Sequence, residues 1–224
     1  MFDFTTVLQQ WPLLLSGTLI TLVMTLISTF LGICLGIASG WARANGRGLL
    51  RLLVACYVEL LRNTPYVVQL FFIFFGLPVL GIHLSAIEAS TLSLVLNLGA
   101  YTSEIVRAGI QNTPRSQIEA AQSLALDPWQ IFTRVVLPPA LGRVWPSMIS
   151  QVVIIMLGSA VCSQISTQEL SYAANLIASR SFRNFESYIV ATAIYLLLAI
   201  AVRQFLGWFG PRFIFGPQTG KDHE

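Results

Sequence analysis

Residues 13–41 read LLLSGTLITLVMTLISTFLGICLGIASGW, without one charged side chain. Wound as an α-helix at about 1.5 Å per residue, that stretch reaches roughly 43 Å. The hydrocarbon core of a bilayer is only about 30 Å thick. The run is therefore long enough to cross a membrane. The composition agrees, with 55% of the 224 residues hydrophobic and 10% charged, and a mean hydropathy of +0.71. Soluble domains carry about 25% charged residues, which they need to cover their surface. The expected fold class is an all-α membrane protein.

Working outward from this run, Arg43, Arg47 and Arg51 form a short basic loop. An amphipathic entry segment up to Asn63 follows, and Pro65 is expected to break or kink it. Further spans are expected at about 64–80, 87–110, 144–165 and 188–209, with a mixed loop over 166–186. Within the first run Gly32, Gly36 and Gly40 recur at a spacing of four. That spacing makes a smooth face for close helix packing, although glycine is also simply common in membrane helices.

Basic residues gather in alternate loops: Arg43, Arg47 and Arg51; then Arg107, Arg115, Arg134 and Arg143; then Arg203, Arg212 and Lys221. The loop after the second span holds only His83, and the one after the fourth holds Arg180 and Arg183. The positive-inside tendency then gives five spans, the N-terminus outside and the C-terminus cytoplasmic. The start, Met1-Phe2-Asp3-Phe4, lacks the basic region of a secretory signal. The first run is also too long for a signal core, so it is read as an uncleaved span.

Other function classes find little support. The net charge of +3 comes from scattered basic residues, which is no nucleic-acid footprint. Cys34, Cys56 and Cys162 have no metal-ligand spacing and read as small buried hydrophobes. His83 and His223 have no ligand company. Gly216-Pro217-Gln218-Thr219-Gly220-Lys221 has three residues between its glycines, where a phosphate loop has four, and Asp222 follows the lysine. No cofactor, no metal and no catalysis by this chain are expected. A small membrane enzyme would cluster His, Asp or Glu at one membrane face, and none is clustered here. A secondary transporter or channel would show broken spans or buried coupling carboxylates, for which Glu104 is the one candidate.

Residues 111–139 form the longest stretch outside the spans. Thr113-Pro114 reads as a cap followed by proline at the first helical position. Ser116 to Glu119 fits a capping box. Asp127-Pro128 repeats the cap-plus-proline start, and Leu137-Pro138-Pro139 is expected to stop the second helix. Two short helices at a turn, with mixed apolar and charged faces, suit docking against a partner.

Within this stretch, Glu119-Ala120-Ala121 followed by Ala125, Val135, Leu137 and Pro138 resembles the EAA loop of ABC importer permeases. That pattern is Glu-Ala-Ala, three residues, Gly, nine residues, Ile, one residue, Leu-Pro. Ala125 stands at the glycine and Val135 at the isoleucine. Arg62-Asn63-Thr64-Pro65 with Gln69-Leu70-Phe71-Phe72, Gly99 to Arg107, and Ile177 to Phe185 are similar to other stretches of the polar-amino-acid permeases, of the histidine, glutamine and basic-amino-acid type. The likeness covers about residues 14–210. It implies one permease domain over 1–224 in a bacterial inner membrane. It also implies a second permease subunit (a copy or a paralogue), a separate ABC ATPase docked on the EAA loop, a binding protein outside, and a polar amino acid as cargo. Glu119 reads as a helix cap or as a polar contact to the ATPase.

Candidates for the substrate path are Asn97, Tyr101, Glu104, Ser159, Ser163 and Glu169. Glu104 and Arg107 share a helix face and can pair, as an interfacial ion pair or as part of the path. Asn97 and Tyr101 line one face, and packing is the alternative for Asn97. Ser159, Cys162, Ser163 and Ser166 form a small polar stripe, and related permeases often carry a lysine or aspartate near Ser159. With Glu169 the stripe suits an ammonium or guanidinium group, or plain helix packing.

Overall fold

The computed structural model describes residues 4–214, and every regular element among them is helical. A single turn, α1 (Thr5–Leu8), precedes the long α2 (Trp11–Asn45). Next come α3 (Gly48–Arg62) and α4 (Tyr66–Phe71). The latter continues through a π turn (Phe72–Gly76) and a 3-10 turn (Leu77–Leu80). α5 (Ala86–Gln111) follows, then α6 (Arg115–Ser123) and α7 (Pro128–Gln130). A π stretch (Ile131–Val136) leads into α8 (Leu137–Gly158) and a 3-10 extension (Ser159–Ile165). The chain closes with α9 (Leu170–Ser181), α10 (Asn184–Phe209) and a π turn (Gly210–Ile214).

Three helical stretches among the described residues are long and apolar enough to cross a membrane: Trp11–Asn45, Pro128–Ile165 and Asn184–Arg212. A fourth arises if Gly48–Arg62 and Tyr66–Leu80, bent by 114°, count as one. The second arm of that pair has 15 residues, about 22 Å of helix, too short to span alone. α5 is long enough at 26 residues but less apolar, because its polar side chains face protein. Ser90, Ser93, Asn97, Thr102 and Ser103 are all buried.

The most extensive helix pair is α2 on α5, and the glycines make it. A Cβ on Gly32 would lie 2.9 Å from Leu98, and one on Gly40 would lie 2.8 Å from the Ser103 carbonyl. One on Gly36 would collide with Thr102. The core around this seam holds Met24, Leu70, Leu94, Leu98 and Ile155. α10 behaves oppositely. Leu196, Leu197, Ile200, Phe205 and Trp208 stand exposed along it, as suits a helix facing lipid or another subunit.

Four local expectations are corrected. Residues 166–186 are not simply a loop, because α9 occupies Leu170–Ser181, started by the Glu169 side chain. Leu137-Pro138-Pro139 does not stop a helix, and the axis runs on from Pro128 to Ile165. The π stretch Ile131–Val136 absorbs the prolines, since wider i→i+5 turns accommodate their missing N–H groups and the ring clash with the preceding turn. Neither Thr113 nor Ser116 caps α6; Pro114 takes the cap position with no side-chain bond. Thr113 instead accepts from Arg143 Nη2 at 3.2 Å. Finally, α6 starts at Arg115 and has no acidic residue in its first turn. Glu119 therefore lies in the second turn, too far along the helix to cap it as expected. The phosphate-loop look-alike, Lys221 and His223 lie outside the described residues.

Candidate functional site

Two regions collect the residues that matter, and the first is the turn between α6 and α7. Its shape follows from backbone bonding. Ala125 adopts φ 55°, the left-handed conformation that usually calls for glycine. Its N–H donates to the Gln122 carbonyl at 2.9 Å, and the Leu126 N–H donates to the Ala121 carbonyl at 3.3 Å. This pair of bonds is a Schellman closure, with Leu126 packing back toward Ala121. Two residues on, the Asp127 carboxylate accepts from the N–H groups of Trp129 (2.8 Å) and Gln130 (2.9 Å). Gln130 Oε1 accepts from the Asp127 N–H at 3.2 Å. The cap followed by proline expected at Asp127 is present, and Gln130 completes it into a capping box.

The turn is anchored underneath. Ala121, Ile131, Phe132 and Val136 form a buried cluster, against which Ile37 and Trp41 of α2, Ile110 of α5 and Leu137 pack. Trp41 and Trp129 meet edge to face at 6.1 Å. Ala121 and Leu137 thus face the anchor, while Glu119, Ala120, Ala125 and Pro138 are exposed. So are Leu124 (75%) and Trp129 (61%). The turn thus holds two large apolar side chains outward beside small residues and a carboxylate.

The second region is the polar interior. Glu104 is the centre of an ion cluster. Its Oε2 accepts from Arg43 Nη1 of α2 at 2.6 Å and lies 3.7 Å from Arg62 Nη1 of α3. Arg107 of its own helix closes on it through Nε and Nη2. Glu59 adds a second carboxylate, 3.6 Å from Arg43. The Arg62 guanidinium also lies over the Tyr101 ring at 5.6 Å. The ion-pair reading of Glu104 is what the geometry shows, widened from one arginine to three.

Asn97 stands apart from that cluster and donates to Gln69 Oε1 at 2.9 Å. Ser159 and Ser163 donate to carbonyls of their own turn, Met156 (2.6 Å) and Ala160 (2.7 Å). Glu169 is fully buried. It accepts from the N–H groups of Ser171 and Tyr172 and from the Tyr195 hydroxyl at 2.5 Å. The Tyr195 hydroxyl also shares a hydrogen bond with Ser171 Oγ at 3.0 Å. Burial pushes the Glu169 carboxyl above its ordinary range, against the pull of those hydrogen bonds. Asn97 and Glu104 on α5 thus bond to other partners than Ser159 and Glu169 do. The structure also adds Gln69, Arg43, Arg62 and Tyr195, which no spacing rule had singled out. For Gln69 a signal was available, namely an amide four residues after a helix-breaking proline.

The described residues form an all-helical chain with apolar, span-length helices and an anchored, outward-facing turn between α6 and α7. The chain belongs to the family described as the binding-protein-dependent transport system inner membrane component, whose model matches residues 32–215. A putative glutamine transport system permease protein of Rickettsia typhi is 31% identical over 190 residues, 84% of this chain and 87% of that one. The nopaline transport system permease protein of Agrobacterium fabrum is 31% identical over 223 residues, covering 93% and 92%. Among solved structures, one described as an amino acid ABC transporter with histidines superposes with a TM-score of 0.85 at 31% identity. It covers 95% of this chain and 100% of that chain.

Proposed function

We propose that the chain is one membrane subunit of an ATP-driven amino-acid uptake system. It forms half of the path and takes its drive from a separate ATPase through the α6–α7 turn. The single observation that carries this is that turn: an apolar and acidic face, exposed at Leu124 and Glu119, on a buried anchor that ties it to α2 and α5. Family membership and relatives named for amino-acid transport support the cargo class. In this reading α2, the bent pair α3–α4, α5, the 128–165 helix and α10 are five spans. The N-terminus lies outside and the α6–α7 turn lies in the cytoplasm, in the inner membrane of a bacterium. The partners are the ATPase, a binding protein outside and a second permease subunit. Hydrolysis belongs to the ATPase.

The test is ATP hydrolysis in lipid vesicles holding this chain, its ATPase and its binding protein. One amino acid is expected to stimulate hydrolysis only with the binding protein present. Glu119→Lys is expected to abolish assembly or the response. Uptake by this chain alone, without ATP, would refute the reading.

A further inference from the structure

The corner between α3 and α4 solves a problem of backbone bonding. A helix end leaves its last carbonyls without donors, and inside a membrane each must be satisfied by protein. Here side chains reach three consecutive carbonyls, the first of which, Glu59 O, also keeps its helical bond from the Asn63 N–H at 3.1 Å. Asn63 Nδ2 donates to Glu59 O at 2.9 Å, and Thr64 Oγ1 donates to Leu60 O at 2.8 Å. The next in the series, Leu61 O, would fall to residue 65, but proline has no N–H. Gln69 fills the gap from the following helix. Its Nε2 donates to Leu61 O at 2.7 Å and lies within 3.0 Å of Thr64 O and 2.9 Å of Thr64 Oγ1. Those oxygens fix which end of the amide is nitrogen. The other end, Oε1, accepts from Asn97 Nδ2 of α5 at 2.9 Å. Both amides are buried, each with 6% of its surface exposed.

The corner is thus bonded to α5 as well as to itself. α5 ends at Gln111, and α6, the first helix of the docking turn, begins at Arg115. We infer that Gln69 and Asn97 are positioning residues of transport: together with the Arg62–Glu104 ion pair and the Tyr57 hydroxyl on Leu96 O (2.7 Å), the amide pair makes the α3–α4 corner move with α5. A displacement received at the docking turn then reaches the bent segment. Gln69 serves the corner and the tie together, whereas Asn97 serves the tie alone. This rests on the proposed ATP-coupled function.

The experiment uses the full reconstituted complex. Amino acid taken up per ATP hydrolysed is measured for the parent, Asn97→Leu, Gln69→Leu, and the swapped pair Gln69→Asn with Asn97→Gln. Hydrogen exchange of residues 60–72 is followed in each. Loss of one buried amide bond predicts that Asn97→Leu lowers uptake per ATP by roughly tenfold while exchange over 60–72 stays as in the parent. Gln69→Leu is expected to lower uptake and also to raise exchange there. Parent-like uptake per ATP in both single variants overturns the inference. If both fail to assemble, recovery of assembly and uptake in the swapped pair supports the tie, and no recovery overturns it. A parent complex without ATP-coupled uptake refutes the functional reading and the coupling role with it. Even then, unchanged exchange in Gln69→Leu refutes the corner bonding separately.

Discussion

Ala125 holds the docking turn in a conformation that costs an L-residue about 1–2 kcal/mol through contact of its Cβ with the backbone. The two closing bonds from Ala125 and Leu126 and the buried anchor below keep it there. Ala125→Gly removes the contact and loses only a methyl that faces outward. It is expected to stabilise the turn by about 1 kcal/mol, a little less than the strain itself because glycine gains freedom when unfolded. Hydrogen exchange over residues 115–127 should then slow roughly fivefold. Ala125→Val should speed it, since a β-branched side chain is strained at positive φ. Equal exchange in the parent and both variants would mean the turn is held by its partner and not by its own bonds. Only the resemblance to the EAA pattern, which carries glycine here, marked this position in sequence; the left-handed conformation that suits glycine became visible in the structure. The network around Glu104 was only half legible. Arg107 sits three residues away on the same helix, whereas Arg43 and Arg62 arrive from two other helices, and no local periodicity reports such a meeting.

At the scale of elements, the glycine face of α2 decides how close α5 can come. A Cβ on Gly36 would overlap Thr102 across the seam, and the neighbour is held by its own helix backbone. Gly36→Leu is expected to cost at least about 3 kcal/mol through forced separation of the two helices and to lower the melting temperature of the purified chain in detergent. Gly207 on α10 has no atom within 4 Å of a built Cβ, so Gly207→Ala should leave melting unchanged or slightly higher. If both variants melt like the parent, α2 and α5 are not packed as described. The face was readable in advance because spacing of four maps directly onto one side of a helix. The run through Pro138 and Pro139 was not, because a proline pair reads locally as a stop. Only packing of Ile131, Phe132 and Val136 in the anchor makes a widened helix better than a broken one. α9 was hidden for a similar reason: its start depends on Glu169, whose carboxylate had been weighed as a substrate contact and is held by two backbone N–H groups.

For the whole molecule, the question is how a force on one face becomes movement of several helices, and in the proposed function the α6–α7 turn separates binding from transmission. Leu124 projects outward and contributes nothing to the anchor, whereas Phe132 is buried beneath it, touching Trp41 at 5.9 Å and Trp129 at 5.8 Å. The two positions should therefore fail differently. If the ATPase docks as proposed, Leu124→Asp places a charge in the contact, at an expected cost of about 2 kcal/mol in association, or roughly thirtyfold in affinity. Hydrogen exchange in the anchor should stay as in the parent. Phe132→Ala leaves the outward face in place but opens a cavity under it, at about 3–5 kcal/mol of local packing. The ATPase should still copurify with this variant, while substrate ceases to stimulate hydrolysis, because a turn no longer seated on α2 and α5 moves without them. Copurification and stimulated hydrolysis, measured side by side, separate these outcomes. If Phe132→Ala responds to substrate like the parent, force does not pass through the anchor and must enter by another contact. If Leu124→Asp binds the ATPase as tightly as the parent, the partner docks elsewhere than on this turn.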